Sequence, residues 1–264
     1  YRLEAQDIRN SGWNYLSSSS YITLSFWCKS SVAQTFYGRL YTTDGTAYNY
    51  PFSMGSLSAD TWTKVTKTIS GNSNLTFDNN ADQGLAIEFS MFNGTAKTDS
   101  GVALNTWAAY NTATRQPDNT STWYTTNDAT WELTGVQLEV GSQATAFEHR
   151  SFHEERELCR RYYHAIIGKM GSWGSAVAYN TTSAQGWMTF YPEMRAAPTF
   201  TWTGTLKLED GAQGFTTSNT TAATTMGSHG FSWWTGGFSS LVDNNVYYVY
   251  DSAGTGYFQL DAEL

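Results

Sequence analysis

The sequence predicts an all-β protein of antiparallel sheets interrupted by one helix. Three observations carry this. Apolar residues recur at every second position, Thr and Ser fill roughly a quarter of the chain, and clusters of Asn, Asp, Gly and Ser separate the alternating runs. Such alternation belongs to strands with one face in a core and one in water, which is the habit of antiparallel sheets.

Each element follows from the same reading. Ile22, Leu24, Phe26 and Cys28 alternate with Thr23, Ser25 and Trp27. Leu85, Ile87, Phe89 and Met91 do so with Ala86, Glu88 and Ser90. Phe200 and Trp202 lie between threonines, and Leu206 and Leu208 flank Lys207. Turns are expected at Thr42–Gly45, Ser70–Asn72, Glu209–Gly211 and Ser252–Gly254, where short polar side chains bond to nearby backbone or accept positive φ. From Trp131 to Val140 the alternation changes phase: Trp131 and Leu133 share one face, and Val136, Leu138 and Val140 another. Gly135 stands at the change, where a β-bulge shifts the register by one. Residues 101–130 have weak periodicity and read as a long loop around an irregular strand.

One segment, Ser151 to about Ile167, reads as helix. Ser151 with Glu154 forms a capping box. Glu154, Glu155 and Glu157 load its start and Arg160 and Arg161 follow, an order that complements the helix dipole. Leu158 pairs with Tyr162 and Cys159 with Tyr163 at i,i+4, and Gly168 is the expected stop.

Composition excludes several classes. The chain has 264 residues with Lys plus Arg 15 and Asp plus Glu 23, a net charge of −8. Only 14% of residues are charged while 16% are aromatic, which argues against disorder. An acidic surface repels phosphate, so no nucleic-acid partner is expected. No apolar run approaches the roughly 20 residues of a membrane span, so no membrane insertion is expected. Cys28 and Cys159 form no metal-ligand spacing, and reduced synthesis in a cytoplasm is the default. A start at Tyr1 without Met points to a processed chain or a fragment.

A resemblance adds to this reading. The run from Trp131 to Gly141 (WELTGVQLEVG), then Ala144 to Arg150 (ATAFEHR) and Ser151 to Tyr163 (SFHEERELCRRYY), resembles the domain junction of tail fibre proteins of tailed bacteriophages. Ile22 to Lys29 (ITLSFWCK) resembles a strand of the jelly-roll module before that junction, a module similar in outline to carbohydrate-binding modules. Met194 to Thr199 (MRAAPT) and the final Asp261 to Leu264 (DAEL) resemble the C-terminal domain of the same fibres. The resemblance implies a jelly-roll β-sandwich over residues 1–148, a short helical neck over 149–168 and an antiparallel β-sandwich tip over 169–264, assembled as a homotrimer. It also implies a natural C-terminus at Leu264 and a shortened N-terminal module. Related modules carry a calcium-coordinating Asp pair where this chain has Thr134-Gly135-Val136, so no calcium site is carried over.

Catalytic signals are weak. Glycoside hydrolysis needs two carboxylates flanking the bond, but the densest acidic group sits at the helix start. Asp60, Asp78, Asp82, Asp99, Asp243 and Asp251 mostly adjoin turn residues. No GxSxG, HExxH or P-loop signature occurs. His149 and His153 are four apart, but the helix begins between them at Ser151, so no metal site is expected, and nothing calls for a cofactor. The Asn-X-Thr/Ser triplets, such as Asn93-Gly94-Thr95, are expected by chance in an Asn- and Thr-rich chain.

The aromatic residues are the best candidates for chemistry. In Phe231-Ser232-Trp233-Trp234 the neighbouring tryptophans must face opposite ways, and Val246 to Tyr250 places at least one Tyr outward. An exposed ring beside small polar groups suits a sugar: its apolar face stacks and its hydroxyls find partners. The candidate glycan-binding residues are therefore Trp233, Trp234, Tyr247, Tyr248, Tyr250, Trp173 and Trp187. The same rings also suit a subunit interface. Together with the resemblance, the expectation is a virion fibre protein, not an enzyme. It would join other virion proteins through a missing N-terminal part and attach to bacterial surface polysaccharide or lipopolysaccharide. The alternatives are a structural capsid fibre or decoration protein without a specific receptor, and a glycan-degrading fibre enzyme.

Overall fold

The computed structural model describes residues 1–167, 174–211, 214–216, 221–251 and 256–263. The chain divides into two compact units, Tyr1–His149 and Arg150–Leu264. Both are β-rich, with every strand pairing antiparallel. Among the described residues no helix is long and apolar enough to cross a membrane.

The first unit runs β1 (Arg2–Glu4), α1 (Ala5–Asn10), β2 (Tyr21–Ser30), β3 (Gln34–Thr42), β4 (Tyr48–Leu57), β5 (Thr63–Ser70), β6 (Gln83–Ser90), β7 (Ala108–Ala109), α2 (Thr122–Thr125) and β8 (Trp131–Val140). One sheet has the order β1-β6-β3-β4-β7 and the other β5-β2-β8. Their apolar faces share one core, with Leu24, Phe26 and Ile69 from the smaller sheet and Leu40, Phe52 and Ile87 from the larger. The long connection from β6 to β8 holds only the two-residue β7 and the one-turn α2.

The phase change in β8 is a bulge. Gly135 has φ +59°, Thr134 pairs with Trp27 and Gln137 with Ser25, so two residues of β8 oppose one of β2. The consequence corrects the two-face reading. Trp131 of the first run and Leu138 of the second both pack against the core, so the bulge returns the second run to the same side as the first, while Leu133, opposite Cys28, is 38% exposed.

The second unit begins with α3 (Phe152–Arg160). The capping box is formed: Ser151 Oγ accepts from Glu154 N at 3.2 Å, and Glu154 Oε2 accepts from Ser151 N at 2.8 Å. The helix is shorter than expected. Residues expected in its last turns form β9 (Tyr163–Ile167), which pairs with β18 (Tyr257–Asp261), Tyr163 opposite Asp261 and Ile166 opposite Phe258. The β-branched isoleucines and a full strand ladder outweigh local helix propensity here, so the pair Cys159–Tyr163 never shares a helical face. Gly168, the expected stop, lies outside the described residues, as do Ser252–Gly254.

Between β9 and β18 come β10 (Gly174–Asn180), β11 (Ser183–Thr189), β12 (Thr199–Thr203), β13 (Leu206–Glu209), β14 (Gly214–Thr216), β15 (Thr221–Gly227), β16 (Gly230–Gly236) and β17 (Val246–Asp251). They form a seven-stranded sheet, β14-β13-β17-β10-β11-β16-β15, and a three-stranded sheet, β12-β18-β9. Phe231 and Trp233 of the large sheet meet Phe258 of the small one at 5.9 and 6.0 Å between ring centroids. The buried Asp251 ends β17, and its carboxylate accepts from Thr205 N at 3.1 Å and Gly256 N at 2.8 Å. That role is structural.

Inner positions at the middle of the large sheet are small: Ala176, Ala178, Ala184 and Gly186. A Cβ on Gly186 would lie 2.4 Å from the Trp233 ring. Gly186→Ala is therefore expected to destabilise the second unit by about 1–3 kcal/mol through overpacking, read by denaturant titration followed by tryptophan fluorescence. Full stability in that variant would mean that the ring has room to shift.

The capping box makes a pH prediction. Hydrogen bonds from the Ser151 backbone and hydroxyl hold the Glu154 carboxyl below the ordinary carboxylate range. Because its folded-state value is depressed, its contribution is complete above the unfolded value of about 4.3. It is lost as pH falls through the folded value. In an NMR titration Glu154 should be among the last glutamates to protonate, and amide protection at the start of α3 should fall with it. Titration of Glu154 together with the exposed glutamates would contradict the cap.

Candidate functional site

Strand alternation and register place the candidate rings. Trp233 and Tyr247 point inward, 2% and 1% exposed. The Tyr247 hydroxyl accepts from Val242 N at 2.8 Å, which satisfies a phenol sealed in the core. These two are corrections: both are core residues and present no ring to a ligand. Trp234 and Tyr248, their chain neighbours, point outward at 39% and 58%. Trp187 is 68% exposed. Tyr250 lies in β17, but its side chain is outside the described residues, and Trp173 is outside them altogether.

The outward rings gather on one sheet face. Glu209 pairs with Tyr248, and Tyr248 with Ser175. Ala176 pairs with Gly186, which brings Ser175 level with Trp187; Trp187 pairs with Ser232, and Ser232 with Thr225. One row across the sheet thus reads Glu209, Tyr248, Ser175, Trp187, Ser232, Thr225. The next row reads Val246, Val177, Gln185, Trp234. Tyr179, two residues beyond Val177 and 63% exposed, extends this face. Tyr248 and Trp187 are two strands apart, about 10 Å at the normal strand spacing. Trp234 lies diagonal to Trp187 across one strand gap, within reach of large side chains.

Trp234 lies flat along its own strand, since a Cβ on Gly236 would sit 2.6 Å from its ring. The face therefore offers ring planes set among Ser175, Ser232, Thr225 and Gln185. Its two flanking charges, Lys207 and Glu209, are of opposite sign. Such a surface stacks flat apolar rings and offers hydroxyls and amides to polar substituents. Among the described residues it holds no nucleophile and base in contact and no paired carboxylates. Among the described residues no group of three or more His, Cys, Asp or Glu is placed to hold a metal ion.

Tyr179 and Val246 also lie on this face, outside the set of candidate rings expected from sequence. The usable signal for Tyr179 was that the inward positions of β10 are the alanines 176 and 178, so its larger residues take the outer side; Val246 in β17 is placed outward by its inward neighbour Tyr247. His149 and His153 are separated by the start of α3, as their spacing implied. His149 packs edge-on against Phe147 at 4.9 Å, and His153 Nδ1 lies 3.3 Å from Arg156. His229 Nδ1 and Ser228 Oγ both approach Glu193 Oε1, at 2.7 and 2.6 Å, on an exposed hairpin turn. Both partners of the imidazole use the same nitrogen, so this trio lacks the relay of a hydrolytic triad.

No protein-family model, no curated protein and no solved structure matches the chain.

Trp233 of β16 and Trp187 of β11 should separate stability from surface chemistry. Trp233→Ala is expected to cost about 3–5 kcal/mol as a core truncation. Trp187→Ala should change stability by no more than about 0.5 kcal/mol. Equal losses in the two variants, measured by chemical denaturation, would mean that Trp187 is covered in the assembled protein.

Proposed function

We propose that this chain is part of a bacteriophage virion fibre and that the outer face of its seven-stranded sheet attaches the particle to a bacterial surface glycan. The single observation that carries the reading is the exposed row Tyr248, Ser175, Trp187, Ser232 with Trp234 and Tyr179 beside it. The phage assignment rests on the resemblance at the junction around Trp131–Tyr163. On this reading the first unit is the jelly-roll module and the second the distal tip.

A homotrimer fits the same reading. Helix α3 has nine residues and buries none of them, and isolated helices of that length are marginal in water. Phe152, at 81% exposed, and Leu158 are uncovered on it. Packing against copies of itself would supply the missing burial. Trimerisation would also give the tip its strength. A single sugar site of roughly millimolar affinity contributes near −4 kcal/mol, and linked sites gain a factor of about 10²–10⁴ through effective concentration.

The test is competition for adsorption. Purified protein should block phage adsorption to the host and bind its polysaccharide or lipopolysaccharide fraction. The double variant Trp187→Ala, Tyr248→Ala should lose at least about tenfold in that binding while keeping its sedimentation behaviour. Unchanged binding by the double variant would remove the aromatic face from the mechanism. Binding to capsids with none to any envelope fraction would favour a structural virion protein. Release of reducing ends would favour an enzyme.

A further inference from the structure

Among the described residues, the outer face of the seven-stranded sheet is almost without charge, and its strand sequences say why. β10 (GSAVAYN), β11 (SAQGWMT), β14 (GFT), β15 (TAATTMG) and β16 (GFSWWTG) contain no Asp, Glu, Lys, Arg or His. In β17 the acidic residue Asp251 is buried and engaged by the backbone of Thr205 and Gly256. Only β13 brings ionised groups to the face, Lys207 and Glu209, one of each sign. A Cβ on Gly214 of β14 would sit 2.5 Å from the Lys207 Cε. The lysine chain therefore leans over β14, at the edge of the sheet, and away from β17 on its other side. A sheet face in water normally carries charges that keep it soluble and unpaired. The three-stranded sheet of the first unit does, with Lys29, Lys64, Lys67, Glu132 and Glu139 in its strands.

The uncharged area coincides with the rings. Trp187, Tyr248, Trp234 and Tyr179 are exposed on β11, β17, β16 and β10. Between Tyr248 and Trp187 the intervening strand carries the small, exposed Ser175. The two rings thus stand on either side of a low strip that continues along β10 to Val177 and ends at Tyr179. Two connections of the sheet add acid, with Asp210 after β13 and Asp243 before β17. At the β15–β16 turn, His229 and Glu193 engage each other at 2.7 Å. Arg195, between β11 and β12, is committed to the carbonyls of Ala262 and Glu263.

We infer that the glycan taken by this face is a neutral polysaccharide stretch, without carboxylate or phosphate groups, laid along the β10 strip between Tyr248 and Trp187. The inference rests on the reading of this face as the attachment site and names its substrate class. The physical reason is desolvation. An anionic substituent pressed against the strip would lose water and find no cation in exchange. The net charge of −8 would also repel an acidic polymer at longer range. A neutral sugar needs only ring planes for its apolar side and small polar groups for its edges, which Ser175, Gln185 and Ser232 supply.

The test takes polysaccharide from the host envelope, separates it by anion exchange into neutral and acidic fractions, and titrates each into the full chain by calorimetry. The neutral fraction should bind at least about tenfold tighter than the acidic one, and its affinity should change less than about twofold between about 20 and 500 mM salt. Ser175 is exposed, so substitutions there read the sign of the ligand without disturbing the core. Ser175→Asp and Ser175→Lys should each weaken binding by at least about fivefold, because a neutral ligand desolvates either ion. Binding confined to the acidic fraction, an affinity that falls steeply with salt, or a tighter Ser175→Lys variant would overturn the inference. If Trp187→Ala abolished that binding, the attachment face would stand and only the substrate class would fall. Binding untouched by Trp187→Ala, or no binding to either fraction, would overturn both. Self-association lost on Trp187→Ala, with no glycan bound, would assign the face to a second copy of the chain and likewise overturn both.

Discussion

Adjacent residues of a strand face opposite sides, and the second unit depends on what that rule does to its aromatic doublets. In β16 and β17 a ring follows a ring, Trp233-Trp234 and Tyr247-Tyr248. One member of each pair fills the core and the other faces outward. The inner rings are large, so the strands between them carry Ala176, Ala178, Ala184 and Gly186 on that side. With small residues committed inward, the bulky residues of those strands, Tyr179 and Trp187, lie on the other face. The core and the aromatic surface are two consequences of one packing constraint.

The first unit solves a different problem. Its core is conventional, with branched and aromatic side chains from both sheets. Its outer face instead gathers cations and phenols under a long connection. Covering Arg39 costs desolvation, which Glu88 and Asn49 offset directly and the tyrosine faces offset in part. Arg115 has the aromatic contact, with Tyr110, and no carboxylate among the described residues.

How much of this was legible depends on the range of the interaction. The bulge at Gly135 and the capping box at Ser151 and Glu154 are local, and the sequence carried both in full. The split of Trp233 from Trp234 was legible as a necessity, but not which ring went inward. That choice is made by β11, where Gly186 opposes Trp233 and leaves it space. The overlong helix failed for the same reason in reverse: a local pattern continued past Arg160, and pairing with β18, about a hundred residues away, claimed those residues. Tyr41, Tyr110 and Arg115 show no spacing that would join them, because only the path of the β6–β8 connection brings them together.

The shape of the aromatic surface bears on what it can hold. A sheet face has no walls, so a ligand there is gripped by area and by repetition rather than by enclosure. Rings about 10 Å apart across the strands can each engage a different unit of one polymer, and each contact need only be weak when several are linked. The ordering cost is low, because the rings stand on a hydrogen-bonded sheet and have few side-chain rotations to lose.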